Sequence, residues 1–388
     1  MINRAGSGAE TWRVGVLFSR SGVMEVTETE HFFGTALAIQ EINQSGGIRG
    51  REIEVVAYDP GSDPETYRKL ADRLLTEDGI SVIFGCSTSA ARKAILPAIE
   101  RRNGLLWYPS LYEGFEYSPN VIYTGASPNQ NSFPLAEYLV RNYGRRVFLV
   151  GSDYVYPRES NRIMRDLIVA YGGEIAGELY VPMEASPSQL QAVLKEVRAQ
   201  QPDVLFSTVV GRPAQNFYRL YHDAGFDAAQ MPIASLTIAE GEIREIGAEF
   251  CAGHITAATY FGSLDSDSNR TFVTNFHRLF GAAKPISMWS AGAYAQVRLF
   301  ALALEIAGTL DTQRLVDAAL GLAFEAPEGS IRIDPENNHT WLTPRIGKVR
   351  RDGGFDIMWE AKSAVKPDPY LAVTPLGSRW ISDGTLAS

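Results

Sequence analysis

Cysteine is nearly missing from this sequence. Cys86 and Cys251 are the only two in 388 residues, and no CxxC pair occurs. That argues against a disulfide framework and leaves two buried free thiols as the expectation. Histidine is scarce too. His31, His222, His254, His277 and His339 show no ligand spacing, and each reads as a surface or satisfied core residue. There is no G-x-S-x-G elbow, no P-loop and no HExxH. Catalytic triads assemble in space, so this lowers the case for an enzyme without closing it. No cofactor or metal is expected. No apolar run reaches the roughly 18 residues of a membrane helix. Net charge is -9, and the pairs Arg101-Arg102, Arg145-Arg146 and Arg350-Arg351 stand isolated. A nucleic-acid surface needs clustered cations, so direct nucleic-acid binding is not expected. The first residues are polar up to Trp12, with no apolar core or cleavage site. The chain therefore reads as soluble and cytoplasmic, with a periplasmic or cell-surface location as the alternative if a leader once preceded Met1.

What is present is an ordinary globular composition, 45% hydrophobic and 21% charged, in a chain long enough for two or three domains. The stretch Ser81 to Glu100 organises the rest. An apolar run ends at Gly85, then come Cys86-Ser87-Thr88-Ser89, then a helix-forming run. That order predicts strand, loop and helix. The amides of a helical first turn and its dipole favour an electron-rich oxygen, and strand carboxyl ends line the ligand crevice of an open parallel sheet. The loop suits a small carbonyl or carboxylate, unless the serines only cap the helix.

Strands are predicted at Val14–Phe18, Arg51–Asp59, Leu105–Tyr108, Arg146–Val150, Val204–Val210, Pro232–Leu236 and His254–Tyr260. Helices are predicted at His31–Asn43, Glu65–Thr76, Ser132–Tyr143, Arg158–Tyr171, Pro213–Asp223, Asn269–Phe280 and Ala291–Ala307. Glycine after Gln44 supplies a left-handed end to the first helix. The alternation implies α/β architecture with parallel sheets between helices, in two halves. The tail Gly329 to Trp359 reads as a hairpin or small sheet. The expected lobes are 12–124 plus 256–328 and 125–255 plus 329–373, followed by a tail, 374–388.

Hydroxyls and aromatics gather at the strand ends: Ser19, Ser21, Ser87, Ser89, Tyr108, Ser110, Tyr154, Tyr156, Thr208, Ser235, Thr237, Thr259 and Tyr260. Tyr154 and Tyr156 are two apart in a segment read as extended, so both can face one side. Such groups suit a small neutral polar ligand, or else form a structural aromatic cluster. An amino-acid ligand would need a carboxylate for its ammonium, for which Glu240 or Asp153 could serve.

The run Ala38-Ile-Gln-Glu-Ile-Asn-Gln-Ser-Gly-Gly-Ile-Arg-Gly-Arg51 resembles the first helix and turn of type I periplasmic-binding-protein folds. Gly85-Cys86, Ser89 with Arg92-Lys93-Ala94, Tyr112 to Asn120, Pro128 to Asn131, Gly151 to Asn161 and Phe206 to Gly211 resemble the AmiC type within it. These are amide-sensing negative regulators of amidase operons, and several of the motifs are also similar to urea-binding proteins of ABC importers. The resemblance implies two lobes joined by three crossings, closing on a ligand in the cleft between them. It implies a sensor of a short-chain amide or urea-like molecule that governs an RNA-binding antiterminator protein. The alternative is the solute-binding subunit that serves an ABC permease for urea, short amides or branched-chain amino acids. A homodimer stays open. The ligand residues it implies are Ser87, Ser89, Tyr108, Ser110, Tyr154, Tyr156 and Thr237. Ser110 stands where the amide sensors have threonine. Ser87 stands where they have tyrosine and urea-binding proteins have tryptophan, which implies a ligand bulkier than acetamide.

Overall fold

The computed structural model describes residues 10–381. The first nine residues, on which the expectation about a leader turns, and the end of the predicted tail lie outside that range.

The chain runs β1 (Trp12–Leu17), α1 (Glu25–Gln44), β2 (Ile53–Tyr58), α2 (Pro64–Thr76), β3 (Val82–Gly85), α3 (Ser89–Arg101), β4 (Leu105–Tyr108) and β5 (Val121–Tyr123). It continues with α4 (Ser132–Asn142), β6 (Arg146–Ser152), α5 (Val155–Ala170), β7 (Glu174–Val181), α6 (Pro187–Gln200), β8 (Val204–Thr208), α7 (Gly211–Asp223), β9 (Ile233–Ser235), α8 (Glu240–Ile246), α9 (Ala248–Cys251) and β10 (Ile255–Ala258). The last part is α10 (Asp267–Phe280), α11 (Met288–Ala307), α12 (Thr312–Ala319), β11 (Ala323–Ala326), β12 (Gly329–Ile333), β13 (Thr340–Trp341), β14 (Arg345–Val349) and β15 (Phe355–Glu360).

These elements form two compact units. Unit 1 comprises 10–111, 116–125 and 265–341, and unit 2 comprises 112–115, 126–264 and 342–381. Unit 1 holds a five-stranded sheet in the order β2-β1-β3-β4-β5, parallel throughout. Its order reverses between β1 and β3, the kind of switch point at which open parallel sheets seat ligands beyond the carboxyl ends of their strands. Unit 2 repeats the pattern as β7-β6-β8-β9-β10 and adds β14 and β15 antiparallel at one edge. The tail predicted as one small sheet is divided: β12 and β13 join β11 in an antiparallel sheet of unit 1, while β14 and β15 extend unit 2.

Local sequence explains most boundaries. Asp63 caps α2 by accepting from the Thr66 amide at 2.8 Å, with Pro64 in the first turn. Gly46 and Gly47 after α1 have positive φ, as expected of a left-handed helix end. The predicted start of α1 at His31 is too late, because the helix begins at Glu25. Glu28, Glu30 and His31 lie on its buried face, and their polarity hides that face from an apolar period. α1 packs on α11 so closely that a Cβ on Gly34 would land against the Ser290 carbonyl. Both cysteines are buried and free. Among the described residues no single helix is long and apolar enough to cross a membrane.

Candidate functional site

At the end of β3, Gly85 lies flat against β1, where a Cβ would come 2.8 Å from the Leu17 carbonyl oxygen. Cys86 then takes the left-handed conformation, φ 67°, and its amide donates to Leu17 O at 3.0 Å. A non-glycine residue there is uncommon and marks a sharp turn imposed by its surroundings. The turn delivers Ser87 to the switch point. The helix cap is Thr88, which accepts from the Ala91 amide at 3.2 Å. Capping therefore does not account for Ser87.

Ser87 is engaged from β4 instead. The Tyr108 hydroxyl donates to the Ser87 carbonyl at 2.7 Å, and Ser110 Oγ donates to Ser87 Oγ at 3.2 Å. Ser110 Oγ also lies 3.3 Å from His31 Nε2 on α1. Segment 116–125 returns over Ser110, with Gly125 so close that a Cβ would strike its carbonyl. Ser89, in the first turn of α3, accepts from Arg92 Nη1 at 3.2 Å. The Arg92 side chain is fully enclosed, 4.7 Å from the Tyr108 ring centre, and pairs with Glu116 at 2.6 Å. Burial would raise the Glu116 carboxyl, but Arg92 and Lys93 overcome it and hold the group well below its ordinary value.

Two further groups of α1 stand behind this loop. Burial pushes Glu28 up to about 7, against the stabilising Ser19 amide and Tyr67 hydroxyl. The Ser19 amide donates to it at 2.6 Å, and Tyr67 makes a short contact with the same oxygen. Ser19 is thus tied into the interior of unit 1. Burial holds His31 down at about 3, so its ring is neutral. A histidine held so low is a poor general base for Ser110. Sequence reading missed both residues, whose only signal was polarity on the inner side of an amphipathic helix.

The four ligand residues expected in unit 1, Ser87, Ser89, Tyr108 and Ser110, thus form one cluster. The other three lie in unit 2. Tyr154 precedes α5 as its N-cap residue and Tyr156 sits inside the first turn, so the pair is not extended as the sequence suggested. Pro157 and the residues after it carry the helix earlier than its apolar period revealed. The rings still approach, 6.2 Å between centres, with Tyr156 buried and Tyr154 half-buried. Thr237 follows β9, its amide donating to Ser235 Oγ at 3.0 Å. Thr208 is buried and donates to Asn161 Oδ1 at 2.9 Å. Of the two carboxylates considered for an ammonium, Asp153 is exposed and paired with Arg158 at 2.7 Å. Glu240 accepts from the Gly262 amide at 2.7 Å, while its Oε2 is buried and without a partner among the described residues. Burial raises Glu240 to about 7. No group of histidines, cysteines and carboxylates suited to a metal occurs among the described residues.

A family model described as the periplasmic binding protein domain matches residues 12–376. The chain belongs to that family. Its fold is the type I periplasmic-binding-protein fold, α/β with parallel sheets flanked by helices. The periplasmic binding protein described here is 24% identical over 295 residues to Leu/Ile/Val-binding protein homolog 6 of Brucella abortus, covering 74% of this chain and 75% of that one. It superposes with a TM-score of 0.80, at 24% identity, on an ABC-transporter solute-binding protein from Rhodopseudomonas palustris BisB5 in complex with 3,4-dihydroxybenzoic acid. The superposition covers 92% of this chain and 98% of that one. A branched-chain amino acid substrate-binding protein of Streptococcus pneumoniae, in complex with isoleucine, superposes with a TM-score of 0.79 at 20% identity, covering 92% and 100%. These relatives are solute-binding proteins. By their names they answer to the solute-binding alternative, and an AmiC-type amide regulator is not among them.

Proposed function

We propose that this protein is the periplasmic solute-binding subunit of an ABC importer and that it holds a small solute by an oxygen-bearing end at the Ser87 loop. The observation that carries the reading is the surroundings of Ser87. Its carbonyl accepts from the Tyr108 hydroxyl, which occupies one of that oxygen's two acceptor positions. It stands at the switch point of a parallel sheet, beside the first turn of α3. The amides and dipole of a helix start at such a switch point favour a carboxylate or carbonyl oxygen. The relatives' solutes, amino acids and benzoates, all carry a carboxylate.

Calorimetry with L-leucine, L-isoleucine, benzoate, 4-hydroxybenzoate, acetamide and urea tests the reading. Binding of one of the acids supports it. Binding of acetamide or urea with none of the acids would restore the amide sensor partnered by an antiterminator. Ser87 sits where the resembling families carry an aromatic ring, so a Ser87→Tyr variant should weaken the larger solutes more than the smaller ones. Equal losses for large and small solutes would show that Ser87 does not border the solute.

A further inference from the structure

We propose that unit 2 carries a second small-molecule site, at the end of its sheet where β9 and β10 begin, and that this site takes an amino acid with an aromatic ring. The site is independent of the solute proposed for the Ser87 loop.

A cavity of about 910 Å³ lies there, between the loop 226–229, α9, the start of β10 and the turn from β14 to β15. That is within the size range of small-molecule pockets. Its lining combines three chemistries. The first is a donor. His254, just before β10, lines the cavity and is 2% exposed. Its Nδ1 accepts from the Ile233 amide at 2.9 Å. A backbone N–H can only donate, so Nδ1 carries no hydrogen. Burial holds the ring down at about 3 and so keeps it neutral, which places the hydrogen on Nε2. The described residues supply no oxygen or nitrogen acceptor for that N–H, and Nε2 is not sealed from solvent. A carboxylate entering the cavity would supply one.

The second chemistry is an apolar wall. Phe226 and Phe250 line the cavity half-buried. Phe226 stacks on Tyr221 at 4.8 Å between ring centres, and Phe250 meets the His222 ring edge to face at 5.0 Å. Both rings are thus held in place for a flat side chain. The third is charge of both signs. Arg350 takes up Asp352 at 3.1 Å and Asp356 at 3.5 Å. Asp227 is occupied within its own turn, where it accepts from the Ala229 amide at 2.9 Å. Lys348, Arg351 and Glu249 also line the cavity, and they make no ion pair among the described residues. Two cations and one carboxylate therefore stand ready for a ligand. A simple anion would leave Glu249 unmatched, whereas an α-amino acid answers both signs.

The probes are L-tryptophan, tryptamine, which lacks the carboxylate, and indole-3-propionate, which lacks the ammonium. Calorimetry should show L-tryptophan binding most tightly. Ion contacts at an open rim are modest, so each analogue should bind about twofold to fivefold more weakly. Lys348→Gln combined with Arg351→Gln should erase the advantage over tryptamine, and Glu249→Gln the advantage over indole-3-propionate. In protein with labelled histidine ring nitrogens, the Nε2 resonance of His254 should move when L-tryptophan is added. Ser87→Tyr should change none of this, which separates the site from the Ser87 loop. Failure of L-tryptophan to bind would overturn the proposal. So would binding that Ser87→Tyr weakens while the rim variants and the His254 resonance stay unmoved. These readouts hold whether or not the acids tested above bind, so the two proposals fail separately.

Discussion

Among the described residues each unit encloses one arginine, and the two are not alike. In unit 1, Arg92 is fully buried and its partner Glu116 is only 9% exposed. In unit 2, Arg345 is 5% exposed, but its partner Glu360 is 46% exposed, and the arginine also donates to the Thr259 carbonyl. The first pair is desolvated on both sides, so each charge depends on the other. The second keeps its carboxylate in water. A buried pair contributes little by existing and much by remaining intact, because loss of one partner strands the other charge. Unit 1 sets that arrangement beneath the loop that bears Ser87 and Ser89.

The largest test of the difference is Arg92→Met against Arg345→Met. Loss of the buried Arg92, which leaves Glu116 only the half-exposed Lys93 as a cation, should destabilise the protein by about 3–5 kcal/mol. Arg345→Met should cost about 1–3 kcal/mol, because Glu360 can take up water. Urea unfolding of both variants measures this, and equal losses would erase the contrast.

The buried carboxylates sharpen the comparison. Glu28 in unit 1 and Glu240 in unit 2 are each raised to about 7 from 4.5 by burial. A raised carboxyl contributes stability that is fully present below pH 4.5 and is lost as pH rises through 7. The buried neutral His31 and His254, each lowered to about 3, act in the opposite sense. Their stability is present above pH 6.5 and lost as pH falls through about 3. Replacing Glu28 by Gln should therefore remove about 3 kcal/mol of decline between pH 4.5 and pH 8, read as unfolding midpoints across that range. An unchanged slope would contradict it. The same substitution at Glu240 should flatten the pH dependence over the same range.

A smaller effect separates two close approaches. Gly34→Ala would push a methyl into the Ser290 backbone and should cost about 1–3 kcal/mol. In unit 2, a Cβ on Gly347 would meet the Phe261 ring at 2.6 Å. A ring can rotate away, so Gly347→Ala should cost less. Thermal unfolding ranks the two. The smallest effect is Lys93→Ala. Lys93 is 43% exposed beside Glu116, and its loss should cost under about 1 kcal/mol, since Arg92 still holds the carboxylate.

The alternating strands and helices were legible because apolar runs, helix periods and punctuating glycines are local properties. The Ser87–Ser89 loop was legible for the same reason, as an apolar strand that stops at Gly85 before a capped helix. Tyr154 and Tyr156 were found as neighbours but given the wrong backbone, because two tyrosines before a proline suit either an extended loop or a helical first turn. The polar start of α1 was not legible. Glu28 and His31 are buried there only because Ser19, Tyr67 and Ser110 arrive from other parts of the chain.

By itself, then, the sequence determined the α/β alternation, the place of the crevice loop and the family motifs, since each is written in consecutive residues. Tertiary structure alone decided which hydroxyls are held by other protein groups, which carboxylates lie buried, and which side chains surround Ser110. Those depend on desolvation and on partners from distant segments, and neither is present until the chain has folded.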